Sequence, residues 1–251
     1  VTTAVDFDAL APSYDATRSA DEWMLDRFLA RLPLGAHSVV LEFGCGTGNQ
    51  LARLQARCGC RGIGVDPSAG MRAVASAKGL DARDGDHRHI PLADGAVDFA
   101  FACDVVHHVP DLDAMFAQLR RVLREHALLA IRTRSHAQLR AAFFNRWFPS
   151  LAGIDCARYP GIDALTDAAC RHGLAASGEE TLSFAGRDVV DENFVANMAL
   201  KNWSHLRLLP QDEYKHGLAQ VRAALGQSFE SPGAGQTLLW FERQGTDPRA
   251  A

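Results

Sequence analysis

The sequence predicts an α/β fold built on a parallel sheet that is buried on both faces. Three observations carry this expectation. Short apolar runs of strand length alternate with amphipathic segments at helical spacing, which is the pattern of βαβ units. The runs are predominantly apolar, as strands covered on both faces must be. A glycine-rich turn, Gly44-Cys45-Gly46-Thr47-Gly48, directly follows the first run.

The elements follow in order. Ser19 with Glu22 three residues on reads as a capping box. Met24, Leu25, Phe28, Leu29 and Leu32 then keep helical spacing until Pro33 and Gly35 end the helix. Val39–Phe43 is the first strand, and a helix is expected from about Asn49 to Arg57. The second strand, Gly62–Val65, closes on Asp66, and a helix covers Ala69–Ala77. A weak third strand lies near Ala82–Asp84 and a clear fourth at Val97–Cys103. Leu112–Leu123 has an apolar helical face, and Leu128–Ile131 is the fifth strand. Beyond it the rhythm changes. The region of about 135–160 is aromatic and irregular, and a helix near Ile162–His172 ends at Gly173. Thr181–Phe184 is strand-like, about 188–225 is helical, and Thr237–Phe241 is the last strand. No internal repeat or low-complexity segment interrupts this order.

Composition narrows the classes. The 251 residues are 47% hydrophobic and 22% charged, which excludes a disordered or fibrous chain. Lys and Arg total 26 against 30 Asp and Glu, a net charge of −4. Such a chain is poorly suited to nucleic acid or an anionic membrane as main partner. Residues 1–15 carry three acids and no Lys or Arg, so no secretory signal is expected there. No apolar run reaches the roughly 18 residues of a membrane span. The six cysteines are irregularly spaced without C-x-x-C, which supports neither a zinc ribbon nor a redox motif. Reduced thiols in a cytoplasmic protein are the simplest expectation.

The glycine turn lets the backbone bend sharply and lets a ligand approach it. Asp66, at the end of the second strand, suits hydrogen bonds from both ribose hydroxyls of an adenosine. Two cofactor classes compete. Dinucleotide sites use G-x-G-x-x-G with a pyrophosphate at the helix N-terminus. Here the spacing is G-x-G-x-G, and Asn49 stands where the dinucleotide glycine would be. Glu42, just before the turn, suits a cationic ligand end and would repel a diphosphate.

The segments VLEFGCGTG, GVDPSAGM, GDHRHIPLADGAVDFAFACDVVHHV and RRVLREHALLAI, with the opening FDALAPSYD, carry a resemblance. Together they resemble the class I S-adenosylmethionine (SAM) methyltransferases, over about residues 7–133. The nearest subgroup is the small-molecule type (methyltransferase type 11) that includes ubiquinone and menaquinone C-methyltransferases. The resemblance implies a Rossmann-like, seven-stranded, mostly parallel sheet with an antiparallel last strand, helices on both faces and a helical lid or insertion. It implies one methyltransferase domain over 1–251. Within it, 1–34 would form N-terminal lid helices and 35–134 the SAM-binding core, with substrate-covering insertions at 135–160 and 186–228.

The same resemblance assigns roles by position. Gly44, Cys45, Gly46 and Gly48 would wrap the methionine and ribose part of SAM, with Glu42 behind the loop and directed to the amine. Asp66 would hold the ribose and Met71 pack on the adenine. Asp86 would accept the adenine amine, and the His87 N–H would meet the ring. Ala102 and Cys103 would contact the SAM amine through their backbone. Tyr14 and Arg18 would close over the cofactor carboxylate. One departure is Arg124-Glu125-His126-Ala127, where many relatives carry Lys-Pro-Gly-Gly.

Methyl transfer from a sulfonium is an in-line displacement in which alignment supplies about 7–11 kcal/mol. A base is needed only where the acceptor must lose a proton. His107 and His108, after the fourth strand, are the candidates for that role, against an ordinary packing role. His87 and His89 flank Arg88 without a carboxylate cluster, so no metal is expected. Phe143, Phe144, Trp147 and Phe148 read either as an acceptor lid or as the core face of a helix. Between Glu125 and Asp155 there are no acids but four arginines, Arg132, Arg134, Arg140 and Arg146. They give a positive field that favours an anionic acceptor, or else a solvated face. Arg134, Phe144 and Trp147 are the acceptor-contact candidates. The expectation is a SAM-dependent enzyme acting on a small-molecule acceptor, as a monomer or homodimer. The rivals are a non-catalytic SAM-binding scaffold and a nicotinamide-dependent oxidoreductase.

Overall fold

The computed structural model describes residues 5–16, 18–182, 186–231 and 235–245. These divide into two compact units. The larger comprises Phe7–Thr133, Ile162–Glu180 and the described residues from Leu238 on; the smaller is built mainly from Arg134–Gly161 and Thr181–Thr237.

The chain opens with α1 (Phe7–Leu10), a 3-10 segment over Ala11–Ala16, and α2 (Glu22–Arg31). Then come β1 (Val39–Phe43), α3 (Asn49–Cys58), β2 (Arg61–Asp66), α4 (Ala69–Ala77) and β3 (Asp81–Asp84). They are followed by β4 (Val97–Cys103), a 3-10 turn at Val106–His108, α5 (Leu112–Val122) and β5 (Leu123–Thr133). The smaller unit begins with α6 (His136–Arg140), a 3-10 turn at Phe143–Arg146, and α7 (Leu151–Arg158). The larger unit resumes with α8 (Ile162–Arg171) and β6 (Leu174–Leu182). β7 (Gly186–Val189), α9 (Glu192–Ala199), α10 (Gln211–Ala223) and β8 (Ser228–Ser231) follow, before β9 (Gln236–Arg243).

Seven strands form one sheet in the order β3-β2-β1-β4-β5-β9-β6. The pairs β2/β3, β1/β2, β1/β4 and β4/β5 are parallel, and the last strand runs antiparallel. The chain order reverses between β1 and β4. At such a switch point the strand ends leave a crevice for a ligand.

Side chains alternate between two cores, as strand geometry demands. Leu41, Ala100, Leu129 and Leu239 face α5 and α8 through Phe116, Leu119 and Leu165. Val40, Phe99, Phe101, Ala130 and Trp240 face α2 and α3 through Leu25, Phe28, Leu51 and Leu54. The rings of Phe28, Phe99, Phe101 and Trp240 pack together at centroid distances of 4.9–6.2 Å. Each large apolar side chain buried in this way contributes about 1.5–3 kcal/mol.

Several expectations need correction. The cap of α2 is Asp21, whose Oδ1 accepts from the Met24 N–H at 3.1 Å, and not Ser19. The region of 135–160 is largely helical, with a full capping box at Ser135 and Gln138. The sixth strand begins at Leu174; its expected end at Ser183 and Phe184 lies outside the described residues. The stretch expected to be helical from 188 starts in β7, which pairs antiparallel with β8. The segment Arg124–Ala127 forms no separate turn. β5 runs through it with a bulge: Val97 pairs Leu123 but Phe99 pairs Leu128, and His126 takes φ 61°.

Candidate active site

The glycine loop joins β1 to α3 at the switch point. Gly44, Gly46 and Gly48 take φ of 68°, 53° and 76°, values that side-chain-bearing residues avoid. Their surroundings differ. A Cβ on Gly44 would come within 2.3 Å of Val105 Cγ2, and one on Gly48 within 2.1 Å of Leu80 Cδ1. A Cβ on Gly46 would lie 3.8 Å from Tyr14 Cε1 and 4.0 Å from Met71 Sδ, ordinary contact distances. The outer glycines are therefore packing positions. Gly46 alone would accept a Cβ without a clash, in contact with an aromatic ring and a thioether.

The acidic end of β2 is fastened to this loop. Asp66 Oδ2 accepts from the Gly46 N–H at 2.8 Å and Oδ1 from the Ser68 N–H at 2.9 Å. Burial raises the Asp66 pKa, against the pull of these two bonds. Glu42 is deeply buried behind the loop, and its Oε2 accepts from the Leu51 N–H at 3.2 Å. Burial pushes its pKa well above the usual carboxylate range. The Cys45 and Cys103 thiols are raised in the same way, chiefly by burial, so both stay protonated.

Two aspartates tie down the N-terminal segment, Asp15 to the glycine loop and Asp8 to the start of α4. Asp15 Oδ1 accepts from Thr47 Oγ1 at 2.5 Å and Asn49 Nδ2 at 2.9 Å, while Oδ2 pairs with Lys78 Nζ at 2.7 Å. Burial alone would raise the Asp15 pKa, but the hydrogen bonds from Lys78, Thr47 and Asn49 together hold it low. Asp8 Oδ1 accepts from Ser68 Oγ at 2.6 Å and the Gly70 N–H at 2.7 Å. Tyr14 and Met71 share an apolar cluster with Leu10, and the Arg18 guanidinium lies 5.6 Å from the Tyr14 ring centroid. Asp86 Oδ1 accepts from the Arg88 and His89 N–H groups at 2.8 and 3.1 Å. The Arg88 bond is the chief reason its carboxyl is held below the usual range. His87 Nε2 is buried without a partner among the described residues.

Ala102 and Cys103 end β4 beside Phe43 and Arg132 respectively. His107 and His108 follow in the 3-10 turn with ring centroids 4.0 Å apart, and Phe7 meets His108 edge-on at 4.9 Å. The cofactor candidates named from the sequence all lie in the larger unit. The aspartates Asp8 and Asp15 were missed as site residues, although both lie in the FDALAPSYD segment. Arg132, Asp21 and Asp104, an ion triad around a buried guanidinium, were also missed as a group, because their links cross 111 and 28 positions.

The acceptor candidates lie in the smaller unit. Phe144 and Trp147 are buried in its core with Phe148, Met198, Leu206 and Phe229. Phe144 meets Trp203 and His205 at 5.2 and 4.8 Å, and Trp147 meets Phe229 at 5.2 Å. Of the two readings made from spacing, this is the core arrangement, on a 3-10 turn rather than an α-helix. Arg146 is exposed and lies over the Trp147 and Phe229 rings. Arg134 Nε is buried without a partner among the described residues, and Arg140 is exposed.

Among the described residues no helix is long and apolar enough to cross a membrane, and no group of three His, Cys, Asp or Glu could hold a metal ion.

Comparison with known proteins gives concordant matches. Residues 41–131 match a family model described as a methyltransferase domain. The chain is 31% identical over 185 residues to the 2-phytyl-1,4-naphtoquinone methyltransferase of Synechococcus elongatus, covering 64% of this chain and 79% of that protein. It is 28% identical over 229 residues to the trans-aconitate 2-methyltransferase of Escherichia coli, covering 86% and 87%. Its fold is similar to a crystal structure from Anabaena variabilis, described as a methyltransferase from an antibiotic biosynthesis pathway. That match has a TM-score of 0.71 at 20% identity and covers 90% of this chain and 98% of the other. The matched part of the chain spans 46%, 62% and 48% of three further curated relatives.

Proposed function

The chain belongs to the class I methyltransferases, and on that premise we propose that it transfers a methyl group from SAM to a small anionic molecule. The observation that carries the reading is the bond from Gly46 N–H to Asp66 Oδ2 at the one loop glycine where a Cβ would meet no clash, beside Tyr14 and Met71. The residues present fit the cofactor. Gly46 alone of the three loop glycines would take a Cβ without a clash, and the carboxyl groups of Glu42 and Asp66 stand at the ends of β1 and β2, which suits an ammonium and a ribose better than a diphosphate. When bound, SAM supplies an electrophilic methyl on a sulfonium.

The roles follow from the chemistry of each group. Asp66 accepts ribose hydroxyls through the lone pairs its backbone bonds leave. Glu42, buried behind the loop, reaches the amine through the loop backbone, which it braces by accepting from the Leu51 N–H. Met71 gives a polarizable face for the adenine, with Asp86 and His87 at its edge. Ala102 and Cys103 offer backbone to the amine, and Tyr14 and Arg18 cover the carboxylate end. His108, steadied by Phe7, takes up a proton where the acceptor must lose one.

For the smaller unit we propose acceptor selection, with Arg134 and Arg140 attracting an anion. The buried, unpartnered Nε of Arg134 supports this reading. So does the likeness over most of the chain to an enzyme named for trans-aconitate, a polycarboxylate. Phe144 and Trp147 shape that unit by packing.

A turnover screen tests the proposal: the protein, SAM and a metabolite extract, with S-adenosylhomocysteine release and acidic products gaining one methyl read by mass spectrometry. Methylated acids are expected, and Arg134→Ala with Arg140→Ala should raise the acceptor KM about 10-fold or more. Neutral products, or an unchanged KM, would remove the anionic assignment. No turnover with bound SAM would favour the scaffold rival.

A further inference from the structure

We infer that Arg132 is a positioning residue whose guanidinium clamps both ends of the cofactor loop, an assignment that rests on the methyl-transfer reading above. Arg132 lies near the end of β5, in register with Cys103, and its side chain is 8% exposed. Its fork reaches two carboxylates: Nη1 meets Asp21 Oδ2 and Nη2 meets Asp104 Oδ2, each at 2.5 Å.

The Asp104 arm leads to the start of the loop. Asp104 directly follows β4 and takes φ 52°, a conformation that residues with a side chain rarely adopt. Its N–H donates to the Arg132 carbonyl at 3.0 Å, so Arg132 holds both the backbone and the side chain of that turn. The next residue, Val105, fills the space beside Gly44.

The Asp21 arm leads to the end of the loop. Asp21 caps α2, and its N–H donates to Gln50 Oε1 at 2.8 Å. Gln50 is the second residue of α3, and its Nε2 donates to the Ser19 carbonyl at 3.3 Å. Gly44 opens the loop and Gln50 follows its close, so one planar group ties the two ends together. A lysine presents a point charge and cannot reproduce a planar fork. A buried charge that loses one partner leaves the other uncompensated. The geometry therefore assigns Arg132 a task that neither charge nor packing alone would meet.

The test uses the full chain with Arg132→Lys, Arg132→Met and Asp21→Asn. Amide exchange of peptides over residues 43–51, without ligand, reads the loop. Calorimetric Kd for S-adenosylhomocysteine and kcat at saturating SAM read the site. In Arg132→Met both ends of the loop should exchange about 10-fold faster and Kd should rise about 10-fold, with kcat within about threefold of wild type. Arg132→Lys should loosen one end only, and adding Asp21→Asn to Arg132→Met should do no further harm. A lower Tm with unchanged loop exchange and unchanged Kd would overturn the clamp. If Arg132→Met does not fold, Arg132→Lys decides: protection kept at both ends overturns the proposal. A wild-type protein that binds no S-adenosylhomocysteine would overturn the methyl-transfer reading, while the ligand-free exchange still decides the clamp.

Discussion

Replacing the three loop glycines one at a time by alanine separates packing from ligand binding. All three substitutions force a side chain into the left-handed region, which costs about 1–2 kcal/mol. At Gly46 little is added, because the new Cβ would meet Tyr14 and Met71 at 3.8 and 4.0 Å. At Gly44 the Cβ would lie 2.3 Å from Cγ2 and 2.9 Å from Cβ of Val105, a stiff β-branched side chain. Overpacking of this kind adds about 1–3 kcal/mol, for a total of roughly 2–5 kcal/mol. Gly48 falls between, since the 2.1 Å clash is with the end of the more flexible Leu80. Urea unfolding should thus rank the losses Gly44→Ala, then Gly48→Ala, then Gly46→Ala. Calorimetry with S-adenosylhomocysteine should give a different ranking. Gly46→Ala, the most stable of the three, should bind most weakly for its stability, because its methyl projects beside Tyr14 and Met71, where the cofactor is proposed to lie. A Gly46→Ala protein that binds like wild type, or that is as unstable as Gly44→Ala, would refute the division of labour.

Two further outcomes are expected. Glu42 has a folded pKa above its unfolded value of 4.5, so the folded state holds the extra proton and stability falls as pH rises from about that value through the raised one. Glu42→Gln should therefore gain on the order of 1 kcal/mol at pH 7 to 8 and flatten that decline, while losing cofactor affinity; pH-dependent urea melts check it. Asp15→Ala should release the N-terminal segment from Thr47, Asn49 and Lys78, weakening cofactor binding about 5- to 30-fold by calorimetry while unfolding changes by less than about 1 kcal/mol.

The larger unit was legible because its signals are local. Ala69–Ala77 and Val97–Cys103 have the bounds read from sequence, since glycine, proline or aspartate punctuates each apolar run. β6 was misread because its interior is Ala-Ala-Ser-Gly-Glu-Glu; as the edge of the sheet it needs no apolar run. β7 and β8 were missed because they are short and their partners lie some 40 residues apart. The cap of α2 shows the same limit. Ser19 and Asp21 are both good cap residues, and only Asp21 also meets Arg132, 111 positions away. Within the site, the motif residues were readable, but which glycine would take a Cβ without a clash was not. That depends on Val105 and Leu80, side chains supplied by other elements. Nor could spacing decide whether Phe144 and Trp147 make a lid or a core, because both uses want aromatic residues with the same periodicity.

The most direct measurement is native mass spectrometry of the purified protein titrated in parallel with SAM, S-adenosylhomocysteine and NAD. One equivalent of either sulfur nucleoside should bind, each should displace the other, and Asp66→Ala should abolish the adduct without unfolding the chain. Binding of NAD in their place, or a SAM adduct indifferent to Asp66, would contradict a methyl-donor site at the glycine loop.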